Sequence, residues 1–474
     1  MVRQHDADSF DLEKPPSVHF ETAFPYVDIS HEIRDTNEPA RNRPSRTRPL
    51  SPTRPVSHRS EPFVFDHESE WRAWLCVFGS FLFLVCSSGF SGSIGTLQSY
   101  FSDNQLKNNT NSQIGWILGV YLFLACIPSF LYGSLLDRYG PRVLSAIGGI
   151  LSTSTFLLMG QCKTYWQFMF AFGVFGSIGT GINCTVAIGV VGKLFVRRRG
   201  LAMGVAVTGA SLGILVFPLV LHSTFEHLGW VWSMRIVAII IASCTSIGFL
   251  CFLPFENLVL GTDSFDPWGT SPVFDLSAWK SKSFIFVSLS LFLMEFVNSG
   301  IAGLLPAISA TVGFTATDGF ILLSVIGGTS CISRLIIGYS SDRLGGMNTM
   351  VGTMVLMALL KSTIFIPFTT YGRPLLYAFA AFWGLLSGSF YTVAPICVGK
   401  TCDPKDYARY YGSSNILVGL ALLIANPLSS VMLDKAGAKP LVYLYLGIVI
   451  AAMISITVAR GLVIGSFTKF RERI

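Results

Sequence analysis

Three residues stand where charge is expensive. Arg334, Glu295 and Lys361 each lie inside an apolar run long enough to cross a bilayer. An ionisable side chain at that depth costs about 2.5–3.5 kcal/mol on insertion scales, so it marks either a task or a pairing inside the protein. Arg334 carries a permanent charge on a planar fork that suits a carboxylate or another oxygen-rich group. Glu295 is the carboxylate best placed to balance it. Lys361 either lines a path or snorkels its ammonium to an interface. Asn183, Asn298, Asn415 and Tyr391 add uncharged polar groups within similar runs. Such groups bridge helices or line a polar route, and sequence alone does not sort the two. Arg334, Glu295, Asn298, Tyr391, Asn183 and Lys361 are the candidate substrate-binding residues.

Enzyme chemistry has no foothold. There is no metal-ligand cluster, nucleophile elbow or phosphate loop, so no catalytic residue, metal or cofactor is expected. The chain of 474 residues is 51% hydrophobic and only 13% charged. Its mean hydropathy is +0.56. A soluble domain carries about twice that charged fraction. The class is therefore a polytopic membrane protein. The net charge of +7 reflects a basic tail and basic loops, not a nucleic-acid partner. Most of the ten cysteines lie in apolar runs and read as small core residues.

The apolar runs predict helices near 73–100, 114–136, 143–160, 166–191, 201–222 and 232–253. A second set falls near 283–306, 316–339, 348–368, 375–398, 409–432 and 440–464. The expected organisation is a disordered tail (1–70), a six-helix bundle (71–253), a connection (254–282), a second six-helix bundle (283–464) and a short tail (465–474). The first tail is rich in Pro, Arg and Ser and has no hydrophobic period. Apolar sequence begins only near Ala73, so no cleavable signal is expected and the first helix acts as its own targeting segment.

A short polar motif repeats between the second and third helices of each half. Gly133-x-x-x-Asp137-Arg138-Tyr139-Gly140-Pro141-Arg142 returns as Gly338-x-x-x-Asp342-Arg343-Leu344-Gly345. It resembles the loop between helices 2 and 3 of the major facilitator superfamily. The resemblance implies twelve transmembrane helices in two pseudo-symmetric bundles, an all-α membrane fold. In a tight hairpin, Asp137 and Asp342 can accept from the N-terminus of a neighbouring helix, whose dipole favours an anion. Arg138, Arg142 and Arg343 can reach headgroups or a carboxylate of the other bundle. Gly133 and Gly338 permit close helix approach, and Gly140 can end a helix. These residues read as latches of a gate, not as ligands.

Lys and Arg in the short loops set the orientation. Fifteen fall on the side shared with the N-terminus and five on the other, which places both termini in the cytosol. Asn108-Asn109-Thr110 is then an external glycosylation sequon at Asn108.

Further stretches narrow the resemblance. They are Glu70–Trp71–Arg72–Ala73–Trp74, Gln113–Ile114–Gly115–Trp116–Ile117, Lys193 to Gly204 with Gly209, Gly213 and Pro218, and Trp232–Ser233–Met234–Arg235. Together they resemble the monocarboxylate-porter family, most of all its fungal members. That implies a secondary transporter working by alternating access, driven by a gradient and open to a coupling proton. Family members carry organic acids, riboflavin or secondary metabolites. In the animal lactate carriers of that family, the first helix has a lysine where Thr96 stands here. Their eighth helix has an aspartate at the position of Ser330, four residues before the arginine matched by Arg334. Two of the three charged groups of a proton–lactate site are thus missing, and a bulkier organic acid or polar metabolite is expected. Export from a biosynthetic cluster, import of a monocarboxylate or riboflavin-like nutrient, and a transporter-fold sensor without turnover are the functional readings. The expected partners are a small organic substrate and the lipid bilayer, with a monomeric carrier in the plasma membrane.

Overall fold

A computed structural model describes residues 69–259, 277–310, 316–365 and 373–465. The predicted tail, most of the connection and the C-terminal tail lie outside the described residues. The helices are α1 (Trp71–Ser102), α2 (Gln113–Tyr139), α3 (Pro141–Met159) and α4 (Tyr165–Leu194). The helix Arg199–Phe252 divides at Gly229 into α5 (199–228) and α6 (230–252). The second half has α7 (Lys282–Ala310), α8 (Ala316–Leu344), α9 (Gly346–Ile364), α10 (Arg373–Val398), α11 (Tyr407–Ala436) and α12 (Ala438–Ile464).

Two element boundaries differ from expectation for clear reasons. The α5–α6 connection predicted over 223–231 is helical up to one residue. No Gly or Pro interrupts 219–228, and His222 pairs with Glu226 one turn on at 3.6 Å. Only Gly229, at φ 71°, turns the chain, as a side-chain-bearing residue rarely would. The polar hairpins are likewise mostly helix. Asp137 and Arg138 end α2, and Gly140 at φ 73° makes the corner before Pro141 opens α3. Gly345 at φ 91° does the same between α8 and α9. We refer to this side of the helices as the hairpin end.

Each half buries its own core. In the first, Phe90 packs edge-on to Phe156 at 4.6 Å and Phe217 at 5.3 Å. At the far end Trp230 stacks on Tyr100 at 5.2 Å and donates Nε1–H to the Met159 carbonyl at 3.1 Å. In the second half Met347, Met350, Met354 and Met357 form a stripe on α9 against α7, α10 and α12. Spacings of three and four residues keep them on one helical face.

Candidate functional site

The halves meet along two seams, α2 with α11 and α5 with α8. Both are built on glycine. A Cβ at Gly133 would strike the Ala408 carbonyl, and one at Gly412 would strike the Ser129 carbonyl. On the other seam a Cβ at Gly204 would lie 2.6 Å from the Arg334 carbonyl, and one at Gly338 would lie 2.6 Å from the Gly200 carbonyl. The backbones therefore cross almost in contact.

An aspartate closes each seam at the hairpin end. Asp137 Oδ2 accepts from the Arg409 amide at 2.8 Å, in the first turn of α11. Asp342 accepts from the Gly200 and Leu201 amides at 2.6 and 2.8 Å, in the first turn of α5. First-turn amides have no partner inside their own helix, and the dipole there favours an anion. Each half thus supplies the carboxylate that caps a helix of the other.

The neighbouring cations divide differently from expectation. Lys193, at the end of α4, pairs with Asp137 at 2.7 Å although both belong to the first half. Arg142 pairs with Glu256 at 2.8 Å and donates to the Leu253 carbonyl at 2.7 Å, so it ties α3 to the end of α6 and not to the other bundle. Arg343 is exposed and turns back on the hydroxyl and ring of Tyr339 in its own helix. Arg138 lies over the Tyr139 ring at 5.3 Å. Arg199, counted in the sequence as a loop charge, is buried. It donates to the Phe195 and Gly192 carbonyls at 2.7 and 2.6 Å and covers the Tyr407 ring at 5.1 Å. Nothing in the run Arg197–Arg198–Arg199 distinguishes it from its exposed neighbours except its place just before Gly200.

Above the latches, at mid-depth, lies the polar centre. Arg334 is ten residues from the end of α8, about 15 Å along the axis at 1.5 Å per residue. It is 4% exposed. Its Nη1 donates across the seam to the Val207 carbonyl of α5, while its Nε has no partner among the described residues. The guanidinium lies 5.7 Å from the Tyr391 ring centre, and the Tyr391 hydroxyl donates to Glu295 Oε1 at 3.2 Å. Tyr391 is therefore the middle member of a row from α8 through α10 to α7. Among the described residues no ion pair joins Arg334 to Glu295 directly; the expected pairing is replaced by this row. Asn298, one turn beyond Glu295, is buried, and neither side-chain amide atom is bonded among the described residues. Ser330 packs against Gly388, whose Cβ would lie 2.6 Å from the Ser330 hydroxyl, which leaves little room for a longer acid at that position.

Two residues expected with these lie apart. Asn183 donates to Ser152 Oγ at 2.9 Å and to the Gly148 carbonyl at 3.3 Å, bridging α4 to α3 inside the first bundle. Its amide nitrogen is spent on these two bonds, while Oδ1 has no partner among the described residues. Asn183→Ala is expected to lower thermal stability by about 1 kcal/mol, the ordinary worth of such a bond, with transport per folded molecule retained; a melting curve and an uptake assay check the pair. Lys361 does not snorkel. It is 0% exposed, with Nζ 4.2 Å from the Trp383 ring centre and 5.3 Å from that of Tyr445. This cation–π cage lies among α9, α10 and α12. Asn108 is exposed between α1 and α2, where Thr110 of its sequon caps the helical turn that opens at Asn111 and leads into α2, accepting from the Gln113 amide at 3.3 Å.

Two helix bundles crossing on glycine seams, latched at one end and polar at mid-depth, have the architecture of a membrane carrier. The chain belongs to the Major Facilitator Superfamily, whose family pattern matches residues 76–421 and again 287–463. It is similar to the riboflavin transporter MCH5 of Saccharomyces cerevisiae, at 25% identity over 77% of this chain and 73% of the relative. It is also similar to the aspyridones efflux protein apdF of Emericella nidulans, at 27% identity over 81% and 76%. Among solved structures, the proton:xylose symporter XylE superposes with a TM-score of 0.64 at 14% identity, covering 81% of this chain and 94% of that one. The human organic anion transporter MFSD10 gives 0.62 at 17%, covering 81% and 98%.

Proposed function

We propose that this carrier moves a bulky organic acid or polar metabolite out of the cytosol by alternating access, in the manner of the monocarboxylate-porter branch. The observation that supports this is the Arg334 guanidinium at mid-depth, on the seam between the bundles and beside Tyr391, which bonds Glu295. A cation with a planar fork favours a carboxylate, enolate or clustered carbonyls. The aromatic ring beside it suits a body larger than lactate. Efflux proteins for fungal metabolites among the relatives support the direction. The riboflavin transporter supports a second reading, import of a flavin-like nutrient. Purified carrier in proteoliposomes, offered riboflavin, lactate and aromatic carboxylates, tests both. Fastest movement of an aromatic acid supports the first reading, riboflavin the second, and lactate with a proton neither.

In this reading the first bundle spans 71–253 and the second 283–464, with the hairpin end facing the cytosol and the carrier closed on that side. A tag at residue 474 is expected to stay unlabelled in sealed right-side-out cells, while a cysteine placed in 104–110 is labelled from outside. Labelling of the C-terminal tag from outside overturns the orientation. Loss of a mobility shift on glycosidase treatment after Asn108→Gln would establish the sequon as used.

A further inference from the structure

Arg334 does more in this geometry than wait for a ligand. Its Nη1 is spent on the Val207 carbonyl, a group of the opposite bundle. That carbonyl lies on α5 close to the Gly204 crossing, beyond the first-turn amides held by Asp342. Arg334, Gly338 and Asp342 follow one another along α8 at intervals of four, on one helical face. The α5–α8 seam is therefore fastened at both ends of its tightest stretch, by Asp342 at the hairpin end and by Arg334 at mid-depth. The α2–α11 seam has no counterpart of Arg334 among the described residues. It is held at Asp137 and by the Gly133 and Gly412 crossings.

We propose that Arg334 is a pin that the substrate withdraws, so that binding of an anionic group loosens the α5–α8 seam before the α2–α11 seam. This rests on the reading of Arg334 as the substrate's anchor. A helix carbonyl offers the guanidinium only its second lone pair, since the first serves the helix ladder. A carboxylate offers two charged oxygens in a fork-to-fork match, two parallel bonds with charge on both partners, where the carbonyl offers one bond and a dipole. A carboxylate that engages the Nη1–Nη2 edge takes the donor that Val207 uses and displaces it, whereas one held on the Nε side alone would leave the pin in place. The specificity consequence is direct. A ligand of the right size but without an anionic or strongly accepting group can enter, yet leaves the pin in place.

The latch amides report the two seams separately by hydrogen–deuterium exchange of the full-length purified carrier. Peptides containing Gly200 and Leu201 report α5–α8; the peptide containing Arg409 reports α2–α11; peptides of α7 and α12 away from both seams report folding. Arg334→Gln, without ligand, is expected to speed exchange at Gly200–Leu201 by about tenfold, with Arg409 and the folding peptides unchanged; Arg334→Lys, which keeps the charge but not the fork, gives a smaller increase. Equal acceleration at both latches, or none at Gly200–Leu201 in either variant, overturns the pin. In the wild type, 2-naphthoate is expected to reproduce the Arg334→Gln pattern and 2-naphthamide to have no effect. If the variants behave as expected but naphthoate and its amide act alike, the anionic-substrate reading fails and the pin stands.

Discussion

Arg334→Ala is expected to reduce transport by about 100-fold, to background, while the protein still reaches the membrane. A buried hydrogen bond involving a charged group contributes about 1.5–3 kcal/mol, and each 1.4 kcal/mol is about tenfold in binding. Alanine removes the anchor for the substrate and the link to the Val207 carbonyl together. Tyr391 keeps its bond to Glu295, so the rest of the row survives. Arg334→Lys retains the charge and is expected to lose most transport all the same, because a single ammonium cannot engage two oxygens in one plane. Initial rates in proteoliposomes, normalised to protein incorporated, decide the matter. Wild-type rates in Arg334→Ala sink the assignment, whatever the substrate proves to be.

The second large effect is expected at the latches and is opposite in kind. Asp137→Asn and Asp342→Asn should slow turnover by about tenfold each while equilibrium binding changes little. Asparagine keeps an acceptor for the helix amides but surrenders the charge, worth about 0.3–1 kcal/mol and up to about 2 kcal/mol where partly buried. At Asp137 the substitution also strands the buried Lys193 ammonium, whose 2.7 Å partner is removed. An uncompensated buried charge costs about 3–5 kcal/mol. Asp137→Asn should therefore destabilise the protein as well as slow it, and Lys193→Met in the same chain should recover part of the stability. The latch reading does not survive if Asp137→Asn abolishes binding of a transported ligand in a protein whose melting temperature is unchanged.

The repeat was legible because its physics is local. Apolar runs of spanning length and two copies of Gly-x-x-x-Asp-Arg-x-Gly sit in the chain for anyone counting, and they gave the helix order and the paired aspartates. The helix boundaries were harder. The stretch 223–231 reads as a connection, but an i,i+4 pair and the lack of a breaker let the helix run on to Gly229. Intramembrane charge pointed to Arg334, Glu295 and Lys361, but not to which residues share a site. Lys361 faces Trp383 and Tyr445, some twenty and more residues of chain away, and only packing reveals the cage. Asn183 and Asn298 are the same residue type in similar apolar surroundings. The first donates to Ser152 and Gly148, the second has no side-chain bond among the described residues, and no sequence signal separates them. Val207 escaped notice for a deeper reason: its contribution is a backbone carbonyl, which every residue has.

The glycine seams bear on how such a carrier can change its cargo. Where backbone lies against backbone at Gly133, Gly204, Gly338 and Gly412, there is no side chain to adjust. A full substitution scan should therefore show these four positions as intolerant of everything but glycine for any cargo whatever. The residues around Tyr391 and Asn298 should instead show tolerance that depends on the compound offered. Selection for a new substrate would leave the first set untouched and rewrite the second, so the pattern of dead and permissive positions would draw the boundary between the moving parts and the recognising parts without the substrate being known.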